Sequence, residues 1–326
     1  MPQSFRWYFA KRVMYLALTI WLILTFNFLL FRVMPGDVTR ILVGKTPTPE
    51  TLETLRHFYG LDKSLPEQYV RYLDQLVHGH LGVSITYLKA VPIENFLFDY
   101  LMNTLVLVGF GTILSIIVGI ALGRFTAWNR GHAADKIGSA FFLIFYSMPT
   151  FLFALFMLTF MAKIAPAWPT SGAYSATYYT MTTFEQIGDR IVHTLLPLFA
   201  LVIETIATFS IITRSSLIDV MTEEYMITAV AKGLPGGTIL RKHAMPNAML
   251  PVITVVAMNV GWVLSGSIMI ELIFSYQGLG LLTYYAVTGY DYPLLQAAFM
   301  LEAVAVVIAN FMADLMLLKL DPRVKI

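Results

Sequence analysis

Three short stretches of this 326-residue chain carry residue types that could do chemistry. VGKT at 43–46 offers the Gly-Lys-Thr end of a phosphate-binding loop, in which backbone N–H groups and a lysine cradle a nucleotide's phosphates. Such a loop also needs a glycine five residues before Gly44, and Thr39 stands there. LSGS at 264–267 has a superficial likeness to the signature peptide of ATPases but lies within a long apolar run. His78 and His80 are close in sequence, yet two residues apart they point to opposite sides of a strand and share a helix face poorly, so no metal-ligand spacing arises. Cysteine is absent from the chain, which excludes disulfides, thiolate metal sites and cysteine nucleophiles. A catalytic centre therefore has no support.

The remaining candidates are carboxylates inside apolar runs: Glu204, Glu271, Glu302 and Asp314. Each costs about 2.5–3.5 kcal/mol to insert in a membrane, so each should face a partner helix or a water-filled cavity. Glu204 is the most central. Asn27, Asn103, Asn259 and Asn310 are uncharged companions able to bond across helices. Two readings stand side by side. Glu204 and Asn259 line a translocation pathway, or they join helices as Asn27, Asn310 and Asp314 are expected to do. Glu271 lies near the outer end of its run, where gating or contact with another protein is as natural as contact with a transported molecule. Gly278 and Gly280 after it are expected to permit a tight re-entrant turn.

The elements that must hold these groups follow from composition. Apolar residues make up 57 % and charged residues 13 %, and mean hydropathy is +0.70, whereas a soluble domain is nearer one quarter charged. The fold class is an all-α polytopic membrane protein. Net charge is only +2, so the global basic field that nucleic acid would require is missing. Windows of about 20 apolar residues, enough to cross the hydrocarbon, fall at 13–33, 101–122, 137–162, 191–213, 251–274 and 294–318, which predicts six transmembrane helices. The first run is longer than a signal-peptide core and ends in FRVMPGD, so it reads as a retained anchor.

Lysine and arginine set the orientation. Arg6, Lys11 and Arg12, then Arg124, Arg130 and Lys136, then Arg214, Lys232, Arg241 and Lys242, then Lys319, Arg323 and Lys325 fall on one side. The short loops opposite carry Lys163 and Arg190 in one and neither residue type in the other. By the positive-inside bias both termini are cytoplasmic. The long segment 34–98 is then external, and a segment of that length translocates largely regardless of its charge. TPETLETLRHFYG at 48–60 and LPEQYVRYLDQLVHG at 65–79 each predict a short amphipathic helix, the second with Pro66 at its start and Gly79 at its end. The chain divides into 1–34, a cytoplasmic segment and first span; 35–98, an external helical insert; and 99–326, a five-helix core with a cytoplasmic loop at 214–250.

That loop contains EYMITAVAKGLPGGTILRKHAMPNAMLP at 224–251, a polar interruption between two apolar runs. EEYMITAVAK predicts a helix with Glu223 and Glu224 in its first turn and Lys232 in its last, matching the helix dipole at both ends. Gly233 stops it and LPGG forces a turn. TILRKHAM then gives a second short helix whose Arg241, Lys242 and His243 crowd the C-terminal end, before Pro246 and Pro251 lead into the next span. At spacings of four and seven residues, Tyr225, Ala229 and Lys232 share one face beside Gly233, where small residues would let another protein's surface approach the backbone.

These residues resemble the cytoplasmic-loop signature of ABC-importer permeases, E-A-A-x-x-x-G followed nine residues later by I-x-L-P. Ala229, Gly233 and the Met245–Pro246 pair match, whereas Ile227, Thr228 and His243 stand where the pattern has Glu, Ala and Ile. The chain is similar to the B-type subunit of dipeptide/oligopeptide/nickel permeases. MPGD at 34–37, GLDKSLPEQY at 60–69, GHLGVS at 79–84, SMPTF at 147–151, TRSSLIDVMTEEY at 213–225, ELIFSYQGLGLL at 271–282, DYP at 291–293 and the ending LDPRVKI extend the likeness over nearly the whole chain. The resemblance implies a type I ABC-importer permease in the plasma membrane, coupled to its ATPase through Glu224, Tyr225, Ala229, Lys232, Gly233, Arg241, Met245 and Pro246. It implies a homologous second permease subunit, two ABC ATPase subunits and an extracytoplasmic substrate-binding protein as partners in the lipid bilayer. ATP and Mg would be bound by the partners, with no cofactor in this chain. Peptide is the expected cargo, with nickel chelates or oligosaccharides as alternatives. A secondary transporter without ATPase would show inverted repeats, and no repeat of the first three spans is evident in the last three.

Overall fold

The computed structural model describes residues 2–33, 62–262 and 268–320. The first expected amphipathic helix, the VGKT stretch and the LSGS stretch lie outside the described residues. Among the described residues there is no β-strand, and one isolated bridge joins Val83 to Pro92. Two compact units are formed, one by Met1–Met102 with Gly278–Ile308 and the other by Asn103–Gln277 with Ala309–Lys325.

In the first unit, α1 spans Pro2–Val33 and α2 spans Leu65–Val77. The Glu67 carboxylate accepts the Ser64 N–H at 3.1 Å and Pro66 occupies the first turn, so the missing donor of proline falls where no partner exists anyway. Gly79 beyond its end has φ +77°. The sequence reading of this helix holds. The Phe28 ring of α1 meets Tyr69 and Tyr72 of α2 at centroid separations of 5.2 and 5.5 Å.

The same unit contains α11, Leu279–Thr288, and the start of α12, Tyr292–Leu320. Between them Asp291 is fully buried. One carboxylate oxygen accepts the Ser84 hydroxyl at 2.7 Å and the backbone N–H groups of Ile85, Thr86 and Tyr87 at 2.9–3.2 Å. The other accepts the Leu294 N–H at 3.3 Å. A buried carboxylate needs such compensation, and here it pins an irregular segment to the first turn of α12.

The second unit is built on two long helices. α3, Glu94–Thr104, begins in the first unit and enters the second at Asn103, continuing through a π-helical turn at Leu105–Gly109 into α4, Phe110–Trp128. α7 runs over Thr183–Met221, capped where Glu185 accepts both the N–H and the hydroxyl of Thr182 at 2.8 Å. At 1.5 Å per residue α7 is about 58 Å long. α4 approaches it along a stripe of small residues four apart: Gly111, Ser115, Gly119 and Gly123. A Cβ on Gly123 would lie 2.5 Å from the Ser210 carbonyl oxygen, and one on Gly119 2.6 Å from Phe209 Cβ. Ser210 Oγ donates to the Gly119 carbonyl at 3.2 Å, closing the gap with a hydrogen bond.

The expected six spans are not all present as single helices. Among the described residues four helices are long and apolar enough to cross a membrane: Phe9–Arg32, Glu94–Trp128, Thr183–Met221 and Tyr292–Met312. The third run is a bent pair, α5 (Ala133–Ser147) and α6 (Thr150–Ile164), set at 99° and giving at most a fifth span. The cause is Pro149, which cannot continue a helix and pushes Met148 to extended backbone at φ −83°, ψ 126°. The fifth run holds α9, Met245–Trp262, and α10, Ile268–Ile273, with 263–267 outside the described residues.

Gly123→Val tests the α4–α7 packing. Overpacking against backbone that has no rotamer to yield is expected to destabilise by at least about 1–3 kcal/mol, read as a lowered Tm of the purified full-length protein. An unchanged Tm would contradict the close approach.

Candidate coupling and pathway sites

The polar loop begins with α8, Glu224–Ala231. Gly233 follows at φ +71°, a conformation cheap only without a Cβ, and its N–H donates to the Val230 carbonyl at 2.9 Å. The helix, its acidic start and its glycine stop agree with the sequence. The second half of the loop differs. Gly236–Thr238 starts a helical segment that passes through a π-helical turn, Ile239–Ala244, straight into α9. Pro246 sits in the first turn of α9 and Pro251 inside it. The wide turn at 239–244 relieves the clash that the Pro246 ring would make with the carbonyl four residues earlier, so the expected short helix and the next span run on as one helical path.

The face expected to meet a partner is also rearranged. Ala229 is 5 % and Met226 4 % exposed, and both pack with Ala127, Leu217, Ile239, Ala244 and Ala248 of the same chain. Ser216 Oγ donates to the Ala248 carbonyl at 2.7 Å, joining α7 to α9 beneath the loop. Ala229 is therefore part of the mounting. Tyr225 and Lys232 are exposed, but they flank the opposite face, which presents Glu224, Ile227, Thr228 and Ala231; Ile227 is 67 % exposed. Arg241, Lys242 and Pro246 are exposed, and Met245 is half-buried against the cluster.

A feature not read from sequence lies beside the loop. Arg214 of α7 makes a bidentate pair with Asp135 of α5, Nε to Oδ1 at 2.7 Å and Nη2 to Oδ2 at 3.1 Å. Asp135 is buried and also accepts the Gly131 N–H at 3.0 Å and the Ser139 hydroxyl at 3.2 Å. Arg214 counted toward the inner positive charge is thus neutralised. Asp135 lies just before an apolar run, and that position alone gave no signal of a partner 79 residues away.

Of the candidate pathway residues, Glu204, Asn259 and Glu271 fall at separate places in the second unit, whereas Gly278 and Gly280 belong to the first. Glu204 of α7 is half-buried and accepts a hydrogen bond from the Thr150 hydroxyl, at the helix start that Pro149 creates. Glu271 is fully buried and accepts the Thr104 hydroxyl at 2.8 Å. Nearby, Asn103 Nδ2 donates to the Gln277 carbonyl at 2.8 Å. Tyr276 and Thr194 share a hydroxyl hydrogen bond at 3.1 Å. The loop 165–182 closes onto this corner through Gly172 N–H to the Phe274 carbonyl at 2.9 Å and Ala173 N–H to Gln277 Oε1 at 2.5 Å. Asn259 lies on α9 and its side chain is outside the described residues, as is that of Asp314. The tight turn expected at Gly278 and Gly280 falls earlier, at Ser275 with φ +46°. Gly278 is extended, with φ −110° and ψ 174°, and precedes α11, while Gly280 is in the first turn of that helix.

Asp135→Ala leaves the Arg214 guanidinium without its partner and should cost on the order of 3 kcal/mol. Asp135→Ala with Arg214→Leu should recover part of the loss. Thermal unfolding of the purified protein reads both, and equal Tm values for wild type and the single variant would contradict a structural ion pair.

Residues 119–326 match the family described as "Binding-protein-dependent transport system inner membrane component", and residues 5–103 match the N-terminal membrane component of the same systems. A probable peptide ABC transporter permease protein, y4tP, of Sinorhizobium fredii is 31 % identical over 98 % of this chain and 99 % of its own. The oligopeptide transport system permease protein AppB of Bacillus subtilis is 32 % identical over 92 % of this chain and 93 % of its own. Among solved structures, a chain of the MetNI methionine ABC transporter in an inward facing conformation superposes with a TM-score of 0.55 at 17 % identity, covering 69 % of this chain and 96 % of that one. This last likeness concerns the fold.

Proposed function

This chain belongs to the family of binding-protein-dependent transport system inner membrane components, and on that premise we propose that it forms half of a peptide-import pathway. It is a permease subunit of an ATP-driven importer of the inner membrane, and the ATPase activity of such importers lies in separate subunits. The names of its relatives as dipeptide, oligopeptide and glutathione permeases favour peptide as the cargo. A homologous second permease completes the pathway, two ATPase subunits drive it, and an extracytoplasmic binding protein delivers the peptide.

One observation supports the coupling role of α8 above the rest. The helix is held from within by Met226 and Ala229 and turned outward with Ile227 and Ala231 uncovered. A grip on the outward face would move α7 and α9 with it, because both helices share the buried cluster below. Glu204, midway along α7, would then be carried by the same movement, and Thr150 is the contact that movement would disturb.

Ala231→Arg and Ile227→Asp place charge on the outward face without touching the cluster. Either variant is expected to lower peptide-stimulated ATP hydrolysis by the assembled complex by about tenfold or more while leaving the Tm of the isolated permease unchanged. Stimulation equal to wild type in both would remove α8 from the interface.

A further inference from the structure

In the first unit a cavity of about 350 Å³ opens between the end of α1, α2, the segment 80–83 and the first turns of α12. Arg32, Arg71 and His80 line it together with Tyr72, Gln75 and Gln296. No Asp or Glu is among the described residues that line it. Neither arginine is in an ion pair among the described residues; Arg32 lies over the Phe28 ring, 5.3 Å from its centroid. Glu94 stands behind His80, 3.4 Å from its Nδ1, and accepts the Leu81 N–H at 3.2 Å, so its charge is engaged away from the cavity. Two guanidiniums line one cavity that has no carboxylate among its described lining residues, and a planar fork of N–H donors suits phosphate and carboxylate oxygens.

Position selects among anions. Arg32 ends the candidate span Phe9–Arg32, and the candidate span Tyr292–Met312 begins at the cavity rim. The lining continues down α12 to Ala297 and Met300 and includes Phe31. From Tyr292 to Met300 the helix descends about 12 Å, taking the cavity from the polar boundary to the depth of acyl chains. Beside it α2 exposes Val70 and Val77, 66 % and 83 % accessible and seven residues apart, the pattern of a helix lying in a membrane interface. A soluble anion would gain nothing from the apolar floor, whereas a lipid needs both halves.

We propose that this cavity holds the phosphate headgroup of an anionic phospholipid, with Arg32 and Arg71 on the phosphate and the acyl chains leaving past Phe31 and Met300. The binding rests only on the membrane location of the chain; the leaflet, the outer one, follows from the proposed cytoplasmic N-terminus. Native mass spectrometry of the full-length protein with its partner subunits, in mixed micelles holding equal amounts of phosphatidylglycerol and phosphatidylcholine with the same acyl chains, tests it. Wild type should retain phosphatidylglycerol preferentially, and Arg32→Gln with Arg71→Gln should reduce that preference about tenfold. Gln75→Glu, an exposed substitution that adds a repelling charge, should reduce it as well, so the inference remains testable if the double variant fails to assemble. A wild-type protein without preference, or variants that keep it, would overturn the proposal. Displacement of the lipid by an equal concentration of inorganic phosphate would also overturn it, by assigning the site to a free anion. Retention of ATPase subunits is scored on the same spectra, which separates failure of this site from failure of the coupling reading.

Discussion

The close approach of α4 to α7 is the constraint on which the second unit depends. Membrane lipid supplies no hydrophobic drive between helices, so association rests on packing and on hydrogen bonds between backbones that come near enough. Gly111, Ser115, Gly119 and Gly123 remove side-chain bulk at every fourth residue, and Ser115 and Ser210 bridge the contact to the Val202 and Gly119 carbonyls at 3.3 and 3.2 Å. The 39-residue helix contains Pro197, and α4 is seated along the part that follows it, from Leu198 to Thr213. Glu204 in its middle and the loop at its end then belong to one body.

That body is braced where force would enter. The Asp135–Arg214 pair fixes α5 to α7, the Ser216–Ala248 hydrogen bond fixes α9 to α7, and the small buried residues of α8 sit on both. The uninterrupted run from Gly236 through the π-helical turn into α9 makes the loop stiffer than a connector of turns would be. In the proposed coupling this body is the lever's arm, and the outward face of α8, with Ile227 and Ala231 exposed, is its uncovered end. Elsewhere the Asp291 carboxylate does comparable work in the first unit, holding irregular chain against a helix start by satisfying its N–H groups in a buried place.

Much of this was legible because single residue types left local marks. Pro66 with Gly79 bounded α2, and Glu223, Glu224 and Gly233 bounded α8, since caps and glycine stops act within one turn. Hydropathy located the long helices but not the break at 147–149, because Pro149 and its neighbours are apolar enough to leave the average unchanged. The unbroken helical path across Pro246 was not legible: a π-helical turn absorbs a proline, and nothing in the residues themselves marks one. The orientation of α8 was not recoverable from spacing, since after Glu224 and Tyr225 its residues 226–231 carry apolar or small side chains all round and only tertiary packing selects Met226 and Ala229 for the inside. The small-residue stripe on α4 was readable, as a four-residue period within an apolar run, and would have located the α4 contact face. Asp135 with Arg214 and Asp291 with residues 84–87 join positions 79 to 207 residues apart, a distance over which local pattern carries no information.

The central claim is that α8 is a handle on the cytoplasmic side, covered by another subunit in the working complex. Because the chain has no cysteine, one introduced at Ile227 can be labelled with a membrane-impermeant maleimide against no background. The account predicts modification in inside-out vesicles and none in intact cells, with protection in the vesicles when the ATPase subunits are present. Labelling from outside the cell, or equal labelling with and without those subunits, would contradict it.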